Sequence, residues 1–316
     1  MTSLIIRRVG GMLLTLFIAS MVIFFALQAA PGDPVTNIIG DPEKVTPERI
    51  AAVRAEFGLD RPVLVQYFVW LGGVFSGDWG TSFHYAQPVS TLVWSRLPVT
   101  LGLVLFASII FIVVGVLLGL AAALRRGRRT DAAVTATTTL LSSLPSFVIG
   151  LILVYVLGVN LRWFPVAGLG EGFFSQVWHL TLPAISLALG ALAVIARVTR
   201  QSSIEQLDAD HVEAARGYGL ARPAVIRRHV LRNAWGPIIT MAAIVVASLL
   251  AGTVVIESVF GLSGIGTLLV NGINTQDFPV VQAVLMFMVV AYMVTTTVVD
   301  LLQNLLDPRL RVRRTA

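Results

Sequence analysis

Six apolar stretches alternate with polar segments along the 316-residue chain. They cover residues 9–30, 98–124, 132–157, 180–199, 237–256 and 280–302. Each is close to the ~20 apolar residues that a helix needs to cross ~30 Å of hydrocarbon. Inside a bilayer every backbone N–H and C=O must be paired within the protein, which a helix does by itself. The pattern therefore predicts an all-α, polytopic membrane protein with six transmembrane helices. The fourth stretch is the weakest, because Pro183 and Gly190 interrupt it. Both are tolerated where neighbouring helices re-satisfy the backbone. The first has a competing reading, since Arg7-Arg8, an apolar run and Ala29-Ala30 have the layout of a secretory signal. Its apolar run exceeds the ~7–15 residues of such a signal, so a retained span is expected.

Composition agrees with the pattern. Hydrophobic residues make up 56% of the chain and charged residues 13%, with a mean hydropathy of +0.84. A soluble domain carries about 25% charged residues, so a soluble enzyme, a disordered chain and a fibrous protein are excluded. There is no cysteine, which removes disulfides, thiolate metal sites and a cysteine nucleophile. The four histidines (His84, His179, His211, His229) share no ligand spacing, so no metal site is expected.

The net charge of +6 is carried by arginine, Lys44 being the sole lysine. Seventeen of the 23 basic residues fall before the first stretch, between the second and third, at or between the fourth and fifth, and after the sixth. The positive-inside rule makes those segments cytoplasmic. Both termini are then inside, as an even number of spans requires. The basic balance reports topology, and no nucleic-acid partner is implied.

Two loops stand out. Residues 31–97 form a long extracellular loop that opens with the turn Pro31-Gly32-Asp33-Pro34. Thr46-Pro47 predicts a capped short helix with Ile50, Val53 and Phe57 on one face and Gly58 as its stop. The aromatic run Leu64, Tyr67, Phe68, Trp70, Leu71, Val74 and Phe75 then suits the membrane interface. This loop reads either as a lid on the outer mouth or as a platform for an external partner. The inner loop, 200–236, carries Asp210 with Glu213 three residues on, which predicts a capping box. A helix over 211–218 would stop at Gly219. It is ~12 Å long, too short to be stable alone. Adjacent Ala214 and Ala215 would give it a small-residue face for close approach to a partner. Arg222-Pro223 restarts a helix with Arg227, Arg228 and Arg232, for which contact with anionic lipid is the alternative reading.

Glu213-Ala214-Ala215, three residues, Gly219, then nine residues before His229-Val230-Leu231 resembles the EAA motif of ABC importer permeases. The usual pattern ends Ile-x-Leu-Pro; His229 and Arg232 replace the Ile and the Pro, as in the peptide/nickel branch. Other segments resemble that branch in order and spacing: Leu59-Asp60-Arg61-Pro62, Gly77-Asp78-Trp79-Gly80-Thr81-Ser82, Leu144-Pro145-Ser146-Phe147, Phe164-Pro165-Val166-Ala167-Gly168, Glu257 through Gly266, and Leu306-Asp307-Pro308-Arg309-Leu310-Arg311. Ser263 stands where the family usually has Pro. The likeness runs over nearly the whole chain and is closest to the first of two permease subunits in a dipeptide/oligopeptide importer.

The resemblance implies the type I importer permease fold, as a single transmembrane permease domain over 1–316, in the bacterial inner membrane. It implies a homologous second permease, two cytoplasmic ATPase subunits and an extracellular substrate-binding protein as partners, besides membrane lipid. Glu213, Ala214, Ala215 and Gly219, with Arg227 and Arg228, would form the ATPase-coupling site. No cofactor is expected on this chain: ATP and Mg would belong to the ATPase subunits. The sequence shows no Walker A, Gly-x-Ser-x-Gly or His-Glu-x-x-His pattern, so no catalytic set is expected.

Polar residues within the stretches supply pathway candidates. Thr135, Thr138, Thr139, Ser142 and Ser146 share one helical face, which either lines a wet path or hydrogen-bonds its own and neighbouring helices. Arg197 ends a small-residue stripe with Pro183, Ser186, Gly190 and Ala193. Asp300 shares a face with Tyr292, Thr296 and Gln303 near the inner boundary, where pairing with an arginine is expected. Glu257, at the outer end of the fifth stretch, is the acid assigned to the outer gate; its alternative is to hold the turn at 260–266. The cargo remains open between peptide, glutathione and chelated nickel. An ion-coupled secondary transporter is the competing class, but it would need midplane charges and matching halves.

Overall fold

The computed structural model describes residues 2–29, 35, 39, 46–56 and 58–306, and the side chains of these over 10–55 and 58–298. The turn at 31–34, Lys44, Phe57, the Asp300 side chain and the closing segment from Asp307 on lie outside the described residues. The described chain is helical, with one isolated antiparallel bridge between Thr81 and Pro88. It divides into two compact units, residues 1–100 with 263–293 and residues 101–262 with 294–316.

Helix α1 (Thr2–Gln28) opens the first unit, followed by α2 (Pro47–Glu56) and α3 (Val63–Ser76). Thr46 caps α2, its Oγ1 accepting the Arg49 N–H at 3.2 Å, and Val53 is buried. Helix α3 packs on α1 through aromatic rings: Tyr67 contacts Phe24 and Phe25, and Trp70 contacts Phe24. The Tyr67 hydroxyl lies 2.9 Å from Ser20 Oγ, which satisfies both buried polar groups. Leu64, Phe68 and Phe75 on the same helix remain exposed, so only part of the aromatic run is free for an interface.

Helix α4 (Val89–Leu124) is 36 residues long, and its first turns belong to the first unit. So does α11 (Ile265–Asn274), whose first N–H, that of Ile265, is accepted by Thr100 Oγ1 at 2.9 Å. A buried carboxylate organises the loop before α4. Asp277 accepts the Ser82 hydroxyl, the Phe83 N–H at 3.2 Å and the His84 N–H at 3.1 Å. Asp277 directly precedes α12 (Phe278–Leu306).

The second unit is built around α7 (Phe173–Leu207), a continuous 35-residue helix with most of its middle buried. It was the stretch with the weakest apolar pattern. Its Pro183 is accommodated inside the helix, and its small residues let neighbours approach closely. A Cβ on Gly119 of α4 would meet the Ala196 carbonyl oxygen at 2.4 Å, and one on Gly115 would meet Ile195 at 3.0 Å. The apolar signal is weak because the helix is packed by protein and not by lipid.

The third stretch departs from expectation. It is not one straight span but α5 (Arg129–Ser143) and α6 (Ser146–Leu153), bent by 98°. Leu144 precedes a proline and takes an extended conformation, φ −91° and ψ 135°. The bend also divides the predicted hydroxyl face, with Ser146 on a different arm from Thr135, Thr138, Thr139 and Ser142. Helix α6 continues as a π-helical segment, Val154–Asn160. Five described helices are long and apolar enough to cross a membrane, and this bent pair makes six if counted as one span.

Candidate functional site

The inner loop folds as α8 (Asp210–Gly217), then α9 (Arg222–Val225), a π-helical segment (Ile226–Leu231) and α10 (Arg232–Val259). Helix α8 starts one residue earlier than predicted. Ala209 is the N-cap, and its carbonyl accepts the N–H groups of Val212 at 2.9 Å and Glu213 at 3.3 Å. No side chain caps the helix, so the expected capping box is absent. Asp210 and Glu213 both lie in the first turn, where a carboxylate is favoured by the helix dipole.

The far end is closed by backbone. Gly219 has φ +76°, its N–H donates to the Arg216 carbonyl at 2.9 Å, and the Leu220 N–H donates to the Ala215 carbonyl at 3.3 Å. This is a Schellman stop, which needs a left-handed residue where glycine stands. Val212 and Ala215 are buried and form a small core with Val225, Val230 and Leu207. Burying a valine is worth about 2 kcal/mol, so this core holds in place a helix too short to persist alone.

Ala214 and Ala215 do not form one face. Successive helical residues are ~100° apart; Ala215 faces the core while Ala214 is exposed. The outward surface includes Asp210, Glu213, Ala214, Gly217 and Tyr218, and Tyr218 is 87% exposed. Tyr218 was not singled out from sequence, although an aromatic beside a helix stop was the available signal. Arg227 and Arg228 are exposed on the π-helical segment. Asn233 ties the two arms together: its side-chain amide lies 2.7 Å from the His229 carbonyl and 3.1 Å from His211 Nε2.

Behind α8 is a hollow of about 520 Å³ whose lining includes Arg126, Asp208, Arg216, Arg222 and Leu220. Arg126 Nη1 donates to Asp208 Oδ2 at 2.8 Å, joining the loop after α4 to the residue that ends α7. A second pair lies beside it, with Arg200 Nε and Nη2 donating to Asp131 Oδ1 and Oδ2 at 2.6 and 2.8 Å. Neither pair was foreseen, since the partners are 82 and 69 residues apart.

The remaining predicted residues do not assemble into one site. Glu257 is fully buried in the last turn of α10, and its main-chain carbonyl accepts the Leu262 N–H at 2.9 Å. Beside it the Phe260 carbonyl accepts the Gly168 N–H at 3.0 Å, which joins the motifs at 164–168 and 257–262. Ser142 donates to the Thr139 carbonyl of its own helix at 2.9 Å. Ser146 starts α6 and lies opposite Gly190. Arg197 lines a separate hollow of about 1060 Å³ between α5 and α7. No cluster of three metal-ligating side chains occurs among the described residues.

Comparison with known proteins places this geometry. Residues 115–312 match the family described as binding-protein-dependent transport system inner membrane component, and residues 1–104 match its N-terminal family. The dipeptide transport system permease protein DppB of Lactococcus lactis subsp. cremoris is 39% identical over 313 residues, covering 99% of this chain and 100% of that protein. The glutathione transport system permease protein GsiC of Salmonella choleraesuis is 34% identical over 314 residues, covering 99% and 100%. Among solved structures, an inward-facing form of the MetNI methionine ABC transporter aligns with a TM-score of 0.57 at 18% identity, over 68% of this chain and 96% of that one. The last likeness concerns the fold alone.

Proposed function

The chain belongs to the binding-protein-dependent transport system inner membrane component family, the permease subunits of ABC importers, and from that premise we propose that it forms half of the translocation pathway for di- and oligopeptides. The peptide cargo is supported by full-length identity to a dipeptide permease. A glutathione cargo is the second reading, favoured by the similarity to a glutathione permease; glutathione is itself a small peptide.

The observation that carries the mechanism is α8. It is a short helix with a Schellman stop, held by Val212 and Ala215, that turns Glu213, Ala214, Gly217 and Tyr218 outward. In this reading the outward face seats on a cytoplasmic ATPase subunit, and the buried face passes the movement to α7 and α10. ATP and Mg stay on the ATPases, which close on binding ATP. The pathway then alternates between outward and inward access. A homologous second permease completes the pathway, and an extracellular binding protein delivers the peptide. Both termini are cytoplasmic, as the arginine distribution supports.

The test is the exposed residue Ala214. Ala214→Trp adds bulk to the outward face without touching the local core. It should reduce co-purification of the ATPase and uncouple ATP turnover from peptide uptake. Full association with coupled uptake would overturn the assignment of this face. Orientation is checked on the cysteine-free chain with a cysteine at Glu48. Labelling of that site only from the cytoplasm would overturn the topology.

A further inference from the structure

The hollow between α5 and α7 has a charge that its own walls do not balance. Four arginines line it: Arg128, Arg129, Arg197 and Arg200. Arg200 is held by Asp131, both of whose oxygens are engaged, since Gly127 N–H also donates to its Oδ2 at 3.0 Å. Arg128, Arg129 and Arg197 have no ion pair or side-chain hydrogen bond among the described residues, and all three are exposed. Three arginines therefore line a cavity of about 1060 Å³ whose single carboxylate is already bonded to Arg200.

Position and lining bear on the kind of anion that would suit this hollow. Arg128 and Arg129 come just before the apolar stretch that starts at residue 132, and Arg197 stands at the end of the stretch 180–199. The basic rim is thus at the level where lipid headgroups meet the hydrocarbon. Deeper in, the wall carries Ala132, Val134, Ala136 and Leu140 beside Thr135, Thr138, Thr139 and Ser143. Two of the four hydroxyls on that side are satisfied within their own helix: Thr138 donates to the Val134 carbonyl at 2.8 Å and Ser143 to the Thr139 carbonyl at 2.9 Å. An acyl chain can lie against the alanine, valine and leucine part of this wall without stranding a polar group. We propose that this hollow is a binding site for one anionic phospholipid, its phosphodiester held by Arg128, Arg129 and Arg197 and its chain lying along α5. Guanidinium forks suit phosphate oxygens. The Asp131–Arg200 pair keeps the two helices at the spacing the site requires.

This inference rests on the chain spanning a membrane and not on the identity of the cargo. Peptide uptake is measured alongside, so the two readings fail separately. The full importer, with a single cysteine at Ala136 labelled with bimane, is placed in phosphatidylcholine nanodiscs. Brominated phosphatidylglycerol is compared with brominated phosphatidylcholine as quencher. Phosphatidylglycerol should quench at lower mole fraction, and the advantage should shrink about fivefold for each arginine removed in Arg197→Gln and Arg128→Gln/Arg129→Gln. Arg197→Lys should retain most of it. Equal quenching by both lipids would overturn the proposal. So would quenching by neither, with the label protected by the second permease. Displacement by inorganic phosphate at millimolar concentration would assign the site to a soluble anion and equally overturn it.

Discussion

Substitution of Gly219 separates two reasons for a glycine at the end of α8. Its φ of +76° is one that side chains rarely adopt, and a Cβ there would meet nothing within 4 Å in this chain. The intrinsic penalty of Gly219→Ala is therefore backbone strain alone, about 1–2 kcal/mol. Escape from that strain means giving up the two closing bonds, from Gly219 N–H to Arg216 and from Leu220 N–H to Ala215. Each is worth about 1 kcal/mol net. The two sums are comparable, so an alanine should leave the turn divided between its strained and opened forms, the closing equilibrium shifted about 5–30-fold towards the open form relative to wild type. In Gly219→Val, β-branching makes the left-handed region still less accessible, and the turn should open. Asparagine tolerates that region, so Gly219→Asn should keep most of the function.

The assay is ATP turnover and peptide uptake by the reconstituted importer, with ATPase co-purification as the measure of assembly. Expected coupling falls in the order Gly, Asn, Ala, Val. If Asn is as damaging as Val, side-chain bulk and not strain is the obstacle, and the partner must approach the backbone at this point. If Val couples fully, the stop is not needed and the reasoning about α8 fails.

Three further outcomes follow from named contacts. Asp277→Ala removes the acceptor of three donors and should destabilise the loop at 82–88 by about 1–3 kcal/mol, read as faster hydrogen exchange there; unchanged exchange would refute the clamp. Gly119→Leu places atoms where Ala196 oxygen is already 2.4 Å from a Cβ; it should abolish recovery of folded protein, whereas Gly10→Leu, with open space around it, should not. Glu257→Gln should alter uptake or basal ATP hydrolysis with assembly intact, and wild-type values for both would remove Glu257 from any gating role.

Local features were legible. Thr46 caps α2 and Gly219 ends α8, because a cap and a left-handed stop depend on a few neighbouring residues. The bend at Leu144–Pro145 was also written locally, yet the apolar run across it suggested one span; hydropathy reports burial and not direction. The facing of Ala214 and Ala215 could not be read from their adjacency, since the core that selects Ala215 is completed by Val225 and Val230 further along the chain. Tyr218 gained its place on the outer face only once that rotation was fixed.

The pairs joined at long range have a shared physical origin. A helix satisfies its own backbone, so residues within it are chosen for packing. A loop has N–H and C=O groups left over, and a buried loop must find partners for them elsewhere. The N–H groups of Phe83 and His84 find theirs on Asp277, to which the Ser82 hydroxyl also donates, and Gly168 finds its partner on Phe260. Each of the segments 77–82, 164–168 and 257–266 is rich in Gly, Ser, Asp or Pro, and each stands out as a motif in the sequence alone. The composition of such a loop shows that its backbone does not follow a helix. The group that answers it lies far off in sequence, as Asp277 lies 195 residues from Ser82. A motif in a membrane protein's loop can therefore be recognised as one half of a contact from sequence, while its other half becomes visible only in the fold.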